Sequence, residues 1–395
     1  MDLSRKNVGV LAACQGLLNT NNSILVAVNA LAGYALASDK ALATLPVTTY
    51  FIGSALATFP VSLLMKAIGR RAGFILGALC AILGSTLCAW GVYERHFWLL
   101  CMGTLVLGIY NAAGHYYRFA ATDGVPAAFK SKAVALVIAG GIIGGFLGPE
   151  TSKLTKDLVA GHAFAGAYFS LIGFAILSIF VLCWLEIPPL SDAERKDAGR
   201  PLSRIARQPV FLVAVLCGMV SYGVMNLLMT ATPLAMSASQ HPFSEAAFVI
   251  QWHLVAMFAP SFVTGTLIQR FGLMTIMLTG IVLNLACVAI ALSGVDVMHF
   301  WLALVAVGVG WNFMFVGATT LLTESHTPAE RAKAQGVNEA AIFLTMVMSS
   351  FSSGALFTLQ GWHAMNVYAV PFLVLAGAGI VWLFVSGRRM PPQTA

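Results

Sequence analysis

Twelve apolar stretches, each about long enough to cross a bilayer, fill nearly all of this 395-residue chain. They run over residues 8–34, 44–65, 73–92, 97–119, 133–155, 165–185, 209–236, 246–269, 273–293, 298–322, 333–358 and 363–386, hereafter spans 1 to 12. A hydrocarbon core of ~30 Å needs ~20 apolar residues per helix. Hydrophobic residues make up 59% of the chain and charged residues only 9%, whereas a soluble domain carries roughly 25% charged residues. The expected fold class is therefore an all-α membrane protein of twelve transmembrane helices.

The cations fall between the spans with a strong bias. Counting from a cytoplasmic N-terminus, the inner segments hold Arg5, Lys6, Lys66, Arg70, Arg71, Arg118, Lys130, Lys132, Arg195, Lys196, Arg200, Arg204, Arg207, Arg270, Arg331, Lys333, Arg388 and Arg389. The outer segments hold only Lys40, Arg95, Lys153 and Lys156. Lys and Arg concentrate on the cytoplasmic side of short loops, so both termini are expected there, in a multi-pass protein of the bacterial inner membrane. The net charge of +7 then reports topology. Membrane lipid is an expected partner and nucleic acid is not. The first apolar segment is too long for a cleavable signal peptide and lacks a small-residue cleavage site. Cys14, Cys80, Cys88, Cys101, Cys183, Cys217 and Cys287 lie in or beside spans with no metal-site spacing, and such cysteines behave as small apolar residues.

The longest polar segment, Pro188 to Pro209, separates six spans from six. The halves resemble each other at an offset of 203 residues. His96-Phe97-Trp98 recurs as His299-Phe300-Trp301, Ile68-Gly69 as Phe271-Gly272, and Lys130 as Lys333. This predicts six-helix bundles at 1–187 and 209–395 joined by a cytoplasmic linker at 188–208. Parallel repeats about an axis along the membrane normal are one of the transporter architectures. The loop chemistry adds a resemblance. Lys66-Ala67-Ile68-Gly69-Arg70-Arg71-Ala72-Gly73 looks like the signature between helices 2 and 3 of the major facilitator superfamily, with its usual Asp absent. Gln269-Arg270-Phe271-Gly272 is a weaker second copy. Gly140-Gly141-Ile142-Ile143-Gly144-Gly145-Phe146-Leu147-Gly148-Pro149-Glu150 resembles that superfamily's glycine-proline motif. Its glycines serve either helix packing alone or a functional bend at Pro149.

No G-x-S-x-G, P-loop or H-E-x-x-H motif is present, so the chain is expected to be neither an enzyme nor by itself an ATP-driven pump. Transport by alternating access is the expectation. Two donor pairs stand out. Met225 and Met229 on span 7, and His253 and Met257 on span 8, are each spaced i and i+4 and so share a helix face. Counted from the short loop at 237–245, Met229 and His253 are about 7 residues deep and Met225 and Met257 about 11, or ~10–17 Å at ~1.5 Å per residue. Sixteen methionines in 395 residues make either pair unremarkable by chance, and methionine commonly fills apolar gaps. Their matched depth favours a site, and the metal that accepts thioethers is Cu(I).

These four residues resemble the paired motifs of the CcoA-like copper importers of the major facilitator superfamily. The run His115-Tyr116-Tyr117-Arg118-Phe119-Ala120-Ala121-Thr122-Asp123 on span 4 is similar to that group as well. The resemblance implies copper uptake that supplies assembly of the cbb3-type oxidase, with Met225, Met229, His253 and Met257 as ligands. Copper is then the transported substrate, a copper chaperone is a candidate partner, and no prosthetic group is expected. Related transporters without these pairs carry other cargo, riboflavin included. An importer of such an organic nutrient is the first alternative, with the Met pairs as cavity lining. A proton-coupled drug exporter is the second, and a metal-sensing receptor of transporter ancestry is a weaker third.

Gln15, Asn19 and Asn22 recur at i, i+4 and i+7 on span 1 and are expected to face a cavity, with Asn226, Asn111 and Asn312 as candidates to join them. Neutral amides suit a hydrogen-bonding vitamin as well as a metal path. Arg118, Asp123, Glu324 and Arg331 read as gating or topology charges. Glu150 and Glu339 are the remaining acids near a membrane boundary, where an acid can relay protons, though the sequence alone assigns neither that role.

Overall fold

The computed structural model describes residues 3–39, 42, 45–123, 125–187 and 199–387. Lys40, Arg388, Arg389 and the linker stretch 188–198, with Arg195 and Lys196, lie outside the described residues. Among the described residues the regular structure is all α-helix. Nine helices are long and apolar enough to cross a membrane, and a bent pair adds a tenth span. Spans 1 and 11 complete the twelve and are more polar. Leu3–Leu36 carries Gln15, Asn19, Asn21, Asn22 and Asn29, and the helix from Arg331 carries Gln335, Asn338 and Glu339.

Several spans depart from single straight helices, each for a local reason. Span 5 divides into Ala127–Gly140 and Ile142–Thr155 at Gly141. Span 8 divides into Phe243–Phe258 and Ser261–Phe271, bent by 42°. Pro260 sits at that break and supplies no backbone N–H. Asn312 of span 10 satisfies the exposed groups. Its Nδ2 donates to the Met257 carbonyl at 2.6 Å and to Ser261 Oγ at 2.5 Å, while Thr264 Oγ1 donates to its Oδ1 at 2.7 Å. Spans 11 and 12 form one run, Arg331–Val385, kinked at Gly361, whose φ of 79° suits glycine. The 203-residue repeat is visible in the backbone itself. Gly69 (φ 90°, ψ 159°) and Gly272 (φ 89°, ψ 150°) each cap one helix and open the next in the same left-handed conformation.

The chain forms two compact units. The first comprises Met1–Val125, Leu136–Asp197 and Gln335–Phe343, and the second Pro126–Ala135, Ala198–Ala334 and Leu344–Ala395. Each unit thus includes a short segment from the other half of the sequence. In the first, Gly336 closes on Phe59 and Ser62 of span 2. In the second, Ser131 donates to the Gly265 carbonyl, and Gln269 to the carbonyl of Ala128.

The first unit is interlocked by backbone contact. A Cβ on Gly140 would lie 2.1 Å from the Ala12 carbonyl oxygen, one on Gly144 2.4 Å from the Asn19 carbonyl carbon, and one on Gly148 2.3 Å from Ser23 Cβ. The glycine motif of span 5 therefore seats span 1 at backbone distance, and Thr20 is buried there. The same device joins spans 2 and 4, where a Cβ on Gly108 would lie 2.4 Å from the Tyr50 carbonyl.

In the second unit, Arg200 binds Glu330 at the start of span 11 through Nε at 2.7 Å, Nη2 at 2.6 Å and its own backbone N–H at 2.8 Å. Burial alone would raise the Glu330 carboxyl, but the Arg200 side chain and the backbone N–H groups of Thr327 and Arg200 outweigh it and hold it down at about 2.

Two predictions follow from this packing. Gly108→Val should lower the thermal midpoint of the detergent-solubilised protein by an overpacking cost of about 1–3 kcal/mol or more, while Gly9→Ala, with nothing within 4 Å of its Cβ, should leave it unchanged. The Glu330 carboxyl, held below its unfolded value of ~4.3, stabilises the fold above that value and ceases to do so as pH falls toward about 2. Glu330→Gln should therefore lower the midpoint at neutral pH, and the gap from wild type should close on acidification through about 4.

Candidate functional site

The interlock with span 5 decides which face of span 1 remains available. Gln15, Asn19 and Asn22 stand together along one flank of that contact, with Asn19 at its margin, and all three are partly exposed. Gln15 Nε2 donates to Asn19 Oδ1 at 3.1 Å, and Asn19 Nδ2 reaches the Gly141 carbonyl at 3.4 Å, at the break in span 5. Asn22 Nδ2 donates to Asn111 Oδ1 at 3.1 Å, Tyr50 Oη donates to Asn22 Oδ1 at 2.5 Å, and Asn111 Nδ2 donates to Ser54 Oγ at 3.0 Å. Spans 1, 2, 4 and 5 thus meet in an uncharged network of amides and hydroxyls, centred near the middle of the 34-residue first helix. Every member is a donor or acceptor that a polar solute can exchange for its own.

The second unit holds an aromatic group that the sequence reading missed. Tyr222 of span 7 meets Trp311 edge-on at 5.2 Å and Phe315 at 4.8 Å, Trp311 stacks on Phe315 at 5.0 Å, and Phe258 of span 8 meets Trp311 at 5.9 Å. Trp311 is buried with its Nε1–H unpartnered, and Tyr222 and Phe258 keep partial exposure. Tyr222 lies thirteen residues into Pro209–Ala238 and Trp311 fourteen into Val297–Leu322, which at ~1.5 Å per residue places both ~20 Å along their helices. Asn226, one turn beyond Tyr222, donates to the Met346 carbonyl at 3.2 Å and to Ser349 Oγ at 2.9 Å. The missed signal was the spacing: Trp311 and Phe315 at i and i+4, at the depth of Tyr222.

The four expected metal ligands have other surroundings. His253 is fully buried and turned onto span 10, its Nδ1 2.8 Å from the Leu304 carbonyl. A carbonyl only accepts, so Nδ1 carries the proton, and Nε2 is enclosed without a partner. Met225 and Met257 are 3% and 5% exposed, Met229 is half-buried, and the Met257 backbone carbonyl serves the Asn312 bridge. Among the described residues no group of three or more His, Cys, Asp and Glu is placed to hold a metal ion. All seven cysteines are free thiols.

Arg118 and Asp123 are committed to ion pairs. Arg118 Nη2 binds Glu339 Oε1 at 2.5 Å and Nη1 binds the His115 carbonyl at 2.7 Å. His115 Nδ1 lies 3.0 Å from Glu339 Oε2, and Asn338 Nδ2 donates to Oε1 at 2.7 Å. Asp123 binds Arg70 Nε at 3.1 Å, and Arg70 Nη2 donates to Gln335 at 2.7 Å. Glu339 has no exposed side-chain surface, and removing one partner of such a buried pair typically costs ~3–5 kcal/mol.

The sequence profile of the Major Facilitator Superfamily matches residues 11–250 and 214–395. The chain belongs to this superfamily. Its members are transporters, which agrees with the absence of enzyme motifs. A proton:xylose symporter, XylE, shares the fold at a TM-score of 0.79 and 14% identity, over 96% of this chain and 95% of that one. The riboflavin transporter RfnT of Brucella anthropi is 41% identical over 374 residues, 94% of each chain. An uncharacterized MFS-type transporter of Bacillus subtilis, YddS, is 27% identical over 91% of this chain and 86% of its own.

The near-full-length likeness to a riboflavin transporter overturns the expectation of copper import. The local spacing of Met225, Met229, His253 and Met257 is outweighed by 41% identity across both halves. Methionines filling apolar gaps account for two buried thioethers at that spacing. Replacing Met225 with Leu, nearly equal in volume, should cost under ~1.5 kcal/mol and leave cargo uptake intact. Initial uptake rates of wild type and Met225→Leu at matched membrane abundance check this.

Proposed function

We propose that this protein imports riboflavin or a closely similar neutral flavin by alternating access. One observation carries the reading: a riboflavin transporter is 41% identical over 94% of both chains. Two features of the site support it. Riboflavin joins a flat tricyclic ring with an imide edge to a chain of hydroxyl groups. Binding pockets for such molecules combine apolar and aromatic walls with a few placed polar groups. The first unit offers Gln15, Asn19 and Asn22 as amides that donate and accept, and the second, taken by itself, offers aromatic surface at Tyr222 and Phe258. Met225, Met229, His253 and Met257 then serve as apolar lining and packing.

The same chemistry sets a limit on cargo. The amide network holds no charged side chain, and Arg118 and Arg70 are already bound to Glu339 and Asp123. A flavin phosphate would bring its charge among neutral groups, where an unpaired ion is costly. Arg118 and Asp123 act in this reading as structural and gating charges.

The Lys/Arg bias supports cytoplasmic termini, and the bacterial relatives support an inner-membrane location. We take 1–187 and 209–395 as the two six-helix halves of the transporter, with 188–208 as their linker. The test is growth of a riboflavin-auxotrophic bacterium that has no riboflavin uptake of its own. Expression of this chain should permit growth on low riboflavin and give saturable uptake of labelled riboflavin, with flavin mononucleotide a poor competitor. Asn22→Leu and Tyr222→Ala should each reduce uptake at unchanged membrane abundance. No uptake in wild type removes the reading, and equal competition by flavin mononucleotide removes its charge argument.

A further inference from the structure

Three helices carry the aromatic group of the second unit, and one histidine ties their far ends together. His241 follows span 7 at the turn into span 8. Its Nε2 lies 2.7 Å from the carbonyl of Val295, two residues before the span 10 helix, and its Nδ1 lies 3.2 Å from Glu245 Oε2, in the first turn of span 8. Gln240, just before it, adopts the left-handed region (φ 65°), which residues other than glycine rarely do. The ring also meets Phe300 edge-on at 6.0 Å, and Phe300 lies 5.3 Å from Trp362. Tyr222, Phe258 and the Trp311–Phe315 pair stand on these same spans 7, 8 and 10, ~20–25 Å from the tie at ~1.5 Å per residue.

The hydrogen bonds fix the charge that this tie requires. A carbonyl oxygen only accepts, so Nε2 must carry a proton. An ionised carboxylate also only accepts, so Nδ1 must carry one as well. The imidazolium alone meets both. A neutral ring has a single N–H, which serves Val295 or Glu245 and turns a lone pair on the other. Histidine is the side chain whose charge ordinarily changes between pH 5 and 8. Few other titratable groups stand at this end of the unit. Glu245 keeps 42% of its side chain exposed, Asp296 follows Val295 with His299 Nδ1 3.6 Å from its carboxylate, and His363 follows Trp362 and is exposed. Segments 237–245, 294–297 and 359–363 contain no Lys or Arg, so no fixed cation on them replaces the imidazolium.

We propose that His241 is a pH-operated latch on cargo binding, closed as the imidazolium in acid and open as the neutral imidazole in alkali. The inference rests on the riboflavin reading for its cargo and on the tie for its control. The Lys/Arg bias assigns this end to the exterior, so the latch answers the pH outside. In acid a solvent proton adds to the free ring nitrogen, and no other bond is made or broken. Glu245, His241 and Val295 then hold the ends of spans 8 and 10 to the turn that closes span 7. Loss of the proton to the same solvent releases one of the two bonds. The helix ends part more easily, and an aromatic group that draws on all three helices is less often assembled. The proton never crosses the membrane, so the latch sets affinity and supplies no drive.

Binding of riboflavin to the purified full chain in detergent, with no gradient present, tests this through quenching of riboflavin fluorescence. Riboflavin stays neutral from about pH 5.5 to 8, so a change over that range belongs to the protein. Wild-type affinity should fall about two- to fivefold as pH rises, the range an exposed ion pair supports, with quenching at saturation unchanged. His241→Gln keeps a donor but cannot titrate, and its affinity should not vary with pH. Glu245→Gln should flatten the profile as well, since an amide can donate to the neutral ring. His299→Gln should keep the wild-type profile. A flat or inverted wild-type profile, a His241→Gln profile that follows wild type, or a His299→Gln profile that does not, overturns the proposal and leaves the riboflavin reading standing. If His241→Gln is not recovered from the membrane, Glu245→Gln carries the same comparison. Absence of riboflavin binding by wild type at every pH removes the riboflavin reading instead. The latch is then judged by thermal midpoints without cargo. Wild type should exceed His241→Gln by more in acid than in alkali, and an equal difference at the two overturns the latch.

Discussion

A polar group inside a bilayer has no water to turn to, so it must find its partner within the protein. That constraint organises this molecule. Most spans meet it by carrying almost nothing polar. Spans 1 and 11 carry amides and a carboxylate, and most of these find specific neighbours, the buried Asn21 side chain being an exception. Span 1 lies at backbone distance from Gly140, Gly144 and Gly148 of span 5, and Gln15, Asn19 and Asn22 line the flank of that contact. Span 11 brings Gln335 and Glu339 to Arg70 and Arg118. The close approach of two backbones and the pairing of two charges are thus two solutions to one problem.

The two solutions have different consequences. An amide network of Asn22, Asn111, Tyr50 and Ser54 satisfies itself with neutral bonds, each worth roughly 0.5–1.5 kcal/mol net. Such bonds exchange readily for those of a solute with similar groups. A buried ion pair is all or nothing, since loss of one charge strands the other. Glu339 with Arg118 therefore holds firmly or not at all, whereas the amide bonds can be exchanged one at a time. Asn312 uses the neutral kind of bond structurally. It mends the break that Pro260 makes in span 8, so a bent helix carries no orphaned carbonyl at Met257.

Much of the fold was legible in the sequence because the bilayer imposes a simple period and length. The span boundaries, the 203-residue repeat and the turn glycines Gly69 and Gly272 all express local chemistry. The breaks at Gly141 and Pro260 were less visible, because a hydropathy pattern does not register a bend. The site was legible in part. Gln15, Asn19 and Asn22 show their face through an i, i+4, i+7 spacing. The Trp311 and Tyr222 contact joins residues 89 positions apart, and the Glu339 and Arg118 pair joins residues 221 apart. Neither leaves a periodic trace in one helix. The methionine and histidine pairs show the converse error. Their spacing is a real feature of two helices, but spacing tells which residues share a face and not what that face meets. His253 meets the Leu304 carbonyl of span 10.

Fold alone says little about cargo. The sugar symporter that shares this architecture does so at 14% identity, so the helices can be kept while the groups that line them are replaced. What distinguishes one member from another is the chemistry on a few faces, and those faces need not all change together. In this chain the neutral amides lie on spans 1 and 4, the aromatic rings on spans 7, 8 and 10, and the sealed charges where spans 4 and 11 meet. Only span 4 contributes to both the amides and the charges, through Asn111 and through His115 and Arg118, one to two turns apart. Span 4 mechanically joins the amides to the charges, since a shift of His115 and Arg118 along its axis must also move Asn111.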